Sequence, residues 1–284
     1  MKDLSNKNVI HVKKEGVEYL QFRRLLEYSD IINHAYSIGI DKDYRTERAG
    51  NVPVSKEEFK NTENNYKQLT SEINSKYENI IKARQNHTKQ VKCIEKKEEG
   101  VQFHSEEYKE TDGLVTNRPN IMLSTSNADC ILLLFFDPVK KVIANTHSGW
   151  KGTLQRISVE TVKKMEEKYG SNPQDIICCI CPSIRKCHFE VEREVKEQFE
   201  NEFKDVENFI EETVPDKKWN IDTVHINKEI LKKAGLLEKN IIDSGICSVC
   251  NSDQIHSFRA EGEKYGLATA LIEIKGWNFK SILI

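Results

Sequence analysis

No stretch of this 284-residue chain reaches the roughly eighteen consecutive apolar residues that a membrane-spanning helix needs, so a transmembrane span is excluded. Basic excess is also missing. Against 45 Asp and Glu stand 43 Lys and Arg, a net charge of −2, which does not suit a protein that must neutralise nucleic-acid phosphates. The opening residues, MKDLSNKNVIHVKKEG, lack an apolar h-region, so a secretory signal is not expected. Eight cysteines in a chain this long, without such a signal, suggest free thiols in a reducing cytoplasm and argue against a disulfide scaffold. Internal repeats, low-complexity tracts and Pro/Gly-rich linkers are absent. Residues 1–284 are therefore expected to form a single domain.

Hydrophobic residues make up 38% of the chain and charged residues 31%, enough for a sizeable core under a heavily solvated surface. Residues 8–23 alternate around Glu15-Gly16 and read as an opening hairpin. Residues 53–86 follow a helical pattern, with Ser55 as N-cap, Glu58 completing a capping box, and a second helix from Thr70 to about Tyr77. The polar segment 41–52, with its Gly50-Asn51 turn, reads as a mobile loop. Strands are expected at 121–126, 131–136, 142–147, 175–181 and 267–274, and a strand-like segment at 254–259. The run ILLLFF (131–136) is apolar at every position, as in a strand buried on both faces. Helices are expected at 152–169, 190–204 and 223–234. The pattern predicts an α+β (mixed α/β) fold, with central mixed β-sheets containing antiparallel hairpins and flanked by helices.

The short turn 137–141 should pair its flanking strands antiparallel. A turn centred between Pro138 and Val139 sets Cys130 directly opposite His147, with Cβ atoms roughly 4.5–5.5 Å apart. A turn centred one residue later makes them diagonal neighbours. Such a pair can share a metal, act as nucleophile and base, or be ordinary sheet residues. Ser148-Gly149-Trp150-Lys151-Gly152 then leads into a helix. Glycines and free N–H groups at that start, with the charge of Lys151, suit a phosphate or oxyanion, or simply make a strand-to-helix turn.

Four blocks carry a family pattern. TDGLVTNRPNIMLSTSNADCILLLFFDP (111–138) resembles a T-D-x-L-[VI]-T … A-D-C block, and THSGWKGT (146–153) resembles H-A-G-W-[RK]-G. CPSIRKCHFEV (181–191) resembles G-P-x-I-x-x-C-x-[YF]-E-V, and GICSVCNSDQIHSFRAEGEKYG (245–266) resembles G-x-C-T-x-C followed by a serine-arginine block. On these residues the chain is identified as resembling the multicopper polyphenol oxidase or laccase-domain family, whose members are also described as purine nucleoside phosphorylases with adenosine deaminase activity. The resemblance implies a two-histidine, one-cysteine metal site on His87, Cys130 and His147, His87 coming from a Q-x-H segment. Zinc is the implied metal, with copper the alternative. Three protein ligands leave a fourth position for water or substrate. Cys130, His147 and Arg259 are the candidate catalytic residues, and Ser148, Gly149, Lys151 and Arg259 the candidate substrate and phosphate contacts. Asp129, next to Cys130, is expected to orient a ligand or to cap a strand end. The implied partners are a purine nucleoside and phosphate, with neither nucleic acid nor membrane.

Departures accompany the match. The S-T-R-x-G-G loop of typical members corresponds to HAYSIGIDKDYRT (34–46), where Ile38-Gly39 follows Ser37 and Arg45 or Arg48 is left to replace the arginine. Ala260 follows Arg259, Gly266-Leu267 replaces a Gly-Arg pair, and Cys181 precedes Pro182. A laccase needs many histidines for its copper cluster, whereas this chain has eight in all and no H-x-H motif. A copper-dependent polyphenol oxidoreductase, a metal-free cysteine hydrolase using Cys130 and His147, and a non-catalytic binding protein are the competing readings. Cys247 and Cys250 form a lone C-x-x-C that Cys178, Cys179 and Cys181 could join, though buried strand cysteines are the favoured reading. His188 and His256 fall within the family blocks, as packed, rim or pocket residues.

Overall fold

The computed structural model describes residues 2–48, 52–96, 99–203 and 206–276. Twelve strands build its two main sheets: β1 (Val9–Lys14), β2 (Val17–Phe22), β3 (Ile32–Ile38), β4 (Ile80–Lys82), β5 (Val91–Cys93), β6 (Gly113–Thr116), β7 (Met122–Asn127), β8 (Ile131–Asp137), β9 (Val142–Ser148), β10 (Ile177–Ile180), β11 (Ile241–Asp243) and β12 (Ala268–Ile274). The helices of five residues or more are α1 (Lys56–Glu72), α2 (Trp150–Leu154), α3 (Ile157–Tyr169), α4 (Arg193–Glu202) and α5 (Thr223–Lys233). The first sheet runs β1-β2-β3-β12-β7-β4 and the second β11-β10-β8-β9-β6-β5. Pairing is antiparallel except at β4–β7, β5–β6 and β10–β11. The mixed α/β class with antiparallel hairpins is the one the pattern predicts.

The two sheets lie face to face between helices. Leu132, Leu134 and Phe136 of β8 join Leu20, Phe22, Tyr36 and Ile272 of the first sheet in one apolar cluster. The alternate residues Ile131, Leu133 and Phe135 point the other way, against Ile157, Val162 and Met165 of α3 and Val224 and Leu231 of α5. Period-two alternation thus explains why β8 has no polar position before Asp137: both of its faces are covered. On the far side, Tyr66 and Leu69 of α1 cover Tyr19, Ala35, Met122 and Leu271 of the first sheet. Polar side chains also tie the sheets together. Asn145 of β9 donates to the carbonyls of Leu123 (2.9 Å) and Ala270 (2.8 Å) and accepts from the Thr125 hydroxyl. Among the described residues, no helix is long and apolar enough to cross a membrane.

Several expectations change. The β8–β9 hairpin pairs Asp137 with Val142 and Leu132 with His147, so the turn is centred one residue later than the facing arrangement requires. Cys130 precedes β8 and is a diagonal neighbour of His147. The cause is a four-residue loop in which Asp137 Oδ1 accepts from the amides of Val139 (2.8 Å) and Lys140 (3.0 Å), while Lys141 takes a left-handed conformation (φ 53°). Residues 152–169 are not one helix. Arg156 adopts φ 55° and separates α2 from α3. The capping box at Ser55 and Glu58 forms, but no second helix follows at 70–77. Asn74 (φ 55°) ends the helical path, and Ile80–Lys82 are drawn into parallel pairing with β7. Residues 254–259 are not a strand, since Phe258 starts a short helix capped by Ser257. Tyr44–Thr46 are buried rather than loop-like, and Glu47–Arg48 pair with Val52–Pro53. Residues 49–51, with the Gly50-Asn51 turn, lie outside the described residues, as do 204 and 277–284.

Leu134 has no exposed surface between the sheets. Replacing it by alanine is expected to remove about 2–5 kcal/mol of unfolding free energy, read as a lower urea midpoint at unchanged slope. A loss well under ~1 kcal/mol would contradict the packing of the two sheets described above.

Candidate metal centre

Asp112 organises the site. It is wholly buried just before β6, and its carboxylate accepts five hydrogen bonds: from the amides of Asn86 (3.1 Å), His87 (3.0 Å) and Thr88 (2.8 Å), the Thr88 hydroxyl (2.8 Å) and Nδ1 of His147 (2.8 Å). Three consecutive amides can converge on one carboxylate because His87 takes the left-handed conformation (φ 56°). Burial works to raise the Asp112 pKa, but its bonds to His147, Thr88 and Asn86 outweigh it and the net shift is downward. The neighbouring Gln85 fixes the same loop to β7: its amide donates to Ser126 O (2.7 Å) and accepts from Ser126 N (2.8 Å), imitating a strand partner.

This scaffold brings His87, Cys130 and His147 together. One ligand atom from each lies within 4.8 Å of the other two. The two imidazole rings are 4.9 Å apart between centroids and inclined by 67°. Desolvation inside the cluster, then the charge of His147, push the His87 pKa down to about 4, which leaves its ring neutral at neutral pH. His147 behaves oppositely. Burial disfavours its charge, but the Cys130 sulfur and the Asp112 carboxylate outweigh this and raise its pKa to about 10. With Nδ1 engaged by Asp112, the Nε2 edge of His147 is left for the cluster, the arrangement by which a carboxylate orients a metal-binding histidine. The residues fit a metal by a second criterion. A Cβ on Gly149 would stand 2.6 Å from His87 Nδ1 and 3.3 Å from Cys130 Sγ, so these two side chains crowd over a backbone that has no room for another.

A cavity of about 1000 Å³ opens in front of the cluster. Aromatic rings of Trp150, Phe189, Phe258 and Tyr265 line it, together with the cations Arg48, Lys82, Arg84, Lys218 and Arg259. Arg84 is buried and held by Glu47 and Glu106, and Arg48 pairs with Glu58. Lys82 is also buried, yet its ammonium meets the hydroxyls of Tyr66 (3.3 Å) and Ser126, and among the described residues no carboxylate pairs with it. Arg259 donates to the carbonyls of His188 (2.7 Å) and Glu190 (3.0 Å), and its own amide donates to Asp129 (2.8 Å). Asp129 therefore clamps the Arg259 backbone and the Ser248 hydroxyl (2.6 Å), and it does so from a left-handed conformation (φ 83°). Ser148 lines the cavity but directs its hydroxyl to Thr153 (3.1 Å). Gly149 caps α2. Lys151 is exposed beside the Trp150 ring and is not among the lining residues. Of the two arginines left to replace the missing one, Arg48 lines the cavity, whereas Arg45 is buried against the Tyr265 ring, 4.4 Å from its centroid. His256 is buried, bonded to Lys42 O (3.0 Å), and does not line the cavity.

Sequence reasoning passed over Asp112 and Lys82. Asp112 stood in the quoted T-D-x-L block without a role. Lys82 sat in a stretch read as helix, so nothing marked it as buried.

Two histidines and one cysteine, with a buried carboxylate on one of the histidines, face an open cavity and form a candidate metal-binding group. The chain belongs to the family described as multi-copper polyphenol oxidoreductase laccase, which it matches over residues 49–275. It is 31% identical over 214 residues to "Purine nucleoside phosphorylase YlmD" of Bacillus subtilis, covering 74% of this chain and 76% of that one. With the human "Purine nucleoside phosphorylase LACC1" the identity is 33% over 168 residues, which span 58% of this chain and 38% of the relative. "Adenosine deaminase RL5", from an unknown prokaryotic organism, is 28% identical over 200 residues, 70% of this chain and 76% of the relative. The crystal structure of YlmD from Geobacillus stearothermophilus superposes with a TM-score of 0.79 at 19% identity, covering 97% of this chain and 100% of that one. Bacillus licheniformis YfiH superposes at 0.77 with 23% identity, covering 90% and 96%.

Two outcomes test the centre. Asp112→Ala, which frees both histidines, is expected to weaken metal binding about 10–100-fold, and Gly149→Ala by at least as much, both read by competition with a chromogenic chelator. Unchanged affinity in both would rule out the arrangement. The second outcome concerns protons. A metal must displace the proton that His147 holds up to about pH 10, so binding at pH 7 releases it and affinity falls about tenfold for each pH unit lowered, per proton released. Titration calorimetry in buffers of different ionisation enthalpy measures the release, and buffer-independent heats would contradict it. In the metal-free protein, the raised pKa stabilises the fold fully below the ordinary histidine value of 6.5. That contribution is lost as pH climbs through about 10.

Proposed function

We propose that this chain is a zinc-dependent purine nucleoside phosphorylase that also deaminates adenosine, acting in the cytoplasm on nucleosides and phosphate. The observation that carries the reading is the union of the Asp112-oriented triad with a cavity lined by flat aromatic rings and by a buried lysine that, among the described residues, has no carboxylate partner. The names of the bacterial and human relatives support it. Zinc held by His87, Cys130 and His147 would keep a fourth position open and lower the pKa of a water there to about 7. The chain's own residues do the rest. Trp150, Phe189, Phe258 and Tyr265 offer faces on which a purine stacks, worth about 1–3 kcal/mol per stacked base. Lys82 offers a cation to an inorganic phosphate, and Arg259, held by two neutral carbonyls, presents its guanidinium along the cavity lining.

A polyphenol oxidoreductase is the weaker reading. Four-electron oxygen reduction takes a histidine-rich copper cluster, and among the described residues no third histidine joins the triad. A cysteine hydrolase has one observation in its favour: Asp112, His147 and Cys130 stand in the order orienter, base, nucleophile. Metal dependence separates the two.

Purified protein is expected to release hypoxanthine from inosine only with phosphate, and to convert adenosine to inosine. Cys130→Ala should abolish both activities along with one bound metal. Lys82→Met should depress phosphorolysis about 10–100-fold, the worth of one charged hydrogen bond, while leaving deamination, which takes water, within a few-fold. Full activity in a chelator-stripped, metal-free protein would favour the cysteine hydrolase mechanism instead.

A further inference from the structure

Away from the cavity floor, four more ligand atoms converge. Cys187 and His188 end the turn after Pro182, and Cys247 and Cys250 are the two ends of the C-x-x-C. Their ligand atoms all lie within 4.8 Å of one another. Cys187 Sγ is 3.7 Å from Cys247 Sγ and 3.9 Å from Cys250 Sγ, and His188 Nδ1 is 3.2, 3.7 and 3.5 Å from Cys187, Cys247 and Cys250. A tetrahedral ion with bonds of about 2.3 Å to sulfur and 2.0–2.1 Å to nitrogen has sulfur–sulfur edges of about 3.8 Å and sulfur–nitrogen edges of about 3.6 Å. Five of the cluster's six edges already measure 3.2–3.9 Å, and the sixth, between Cys247 and Cys250, is within 4.8 Å. A disulfide would need its sulfurs at about 2.0 Å, and all eight cysteines are free. The strand cysteines Cys178, Cys179 and Cys181 are buried in and beside β10 and take no part.

We propose that Cys187, His188, Cys247 and Cys250 form a second metal site, which takes a zinc-type divalent cation in a tetrahedral three-sulfur, one-nitrogen shell. Four protein ligands leave no open position, so its role is structural. Its place in the fold says what it braces. The two ligand segments are already laced by Ser183 N to Ile246 O (3.3 Å) and Ser248 N to Ser183 O (3.0 Å). Ser248, inside the C-x-x-C, holds Asp129, and the carbonyl of His188 holds the Arg259 guanidinium. An ion there would lock the wall that carries Arg259 and fix Asp129 beside Cys130. These four residues become positioning residues for the first site, without touching its ligands.

The test is metal stoichiometry and the composition of the metal shell, neither of which needs turnover. Protein reduced, loaded with excess zinc and desalted is expected to retain two ions per chain. Cys130→Ala should retain one, whose X-ray absorption spectrum reads three sulfurs and one nitrogen. Cys187→Ser/Cys250→Ser should also retain one, with one sulfur. Should either variant fail to fold, the wild type still decides, because two such sites average two sulfurs per metal. If the proposed catalytic centre fails and this site stands, the wild type holds a single ion with three sulfurs. A single ion with one sulfur, or a second ion that survives the Cys187→Ser/Cys250→Ser change, overturns the proposal.

Discussion

One buried carboxylate governs the candidate site. Asp112 has no access to water, so its charge must be met by protein donors, and the five it finds dictate the local structure. Three come from successive amides of the His87 loop, which forces that histidine into an uncommon backbone conformation. A fourth is the imidazole of His147. The same residue's backbone carbonyl accepts from the amide of His147 (2.7 Å), so Asp112 holds this histidine at both main chain and side chain. Two of the three clustered side chains are thus set by a residue that contributes no ligand atom.

The cavity repeats the principle with different groups. Gln85 stands in for a strand edge, Asp129 for a cap on two separate segments, and Gly149 for empty volume. None of the three contributes an atom to the His87, Cys130 and His147 cluster, yet each fixes backbone around it. Arg259 illustrates the cost of judging a residue by type. Its guanidinium reaches the rim only because two main-chain carbonyls hold it there.

Much of the fold was legible because its strands obey period two and its long helix begins with a capping box. The run 131–136 announced a strand covered on both sides, and the opening hairpin turned at Gly16 (φ 79°). The proximity of Cys130 and His147 was legible too, but not their register. Spacing could not reveal that Asp137 would bind two amides and move the centre of the turn one residue along the chain. The break at Arg156 had no proline or glycine to betray it. Lys82 was hidden because three strand residues after a long helix look like more helix until parallel pairing claims them. His87 was visible only through family resemblance, since its position depends on Asp112, twenty-five residues away in sequence.

The three clustered residues do not belong to one layer. His87 follows β4 at the edge of the first sheet, Cys130 lies where the chain crosses from β7 into β8 of the second, and His147 ends β9. The distances among them are therefore a gauge of the gap between the two sheets. Any substitution that lets the sheets slide or spread, however remote from the cavity, alters the spacing of the three candidate ligands as surely as a change within it. Chemistry and core packing share a single mechanical frame, so a search for variants with altered activity belongs as much among the leucines between the sheets as around the opening.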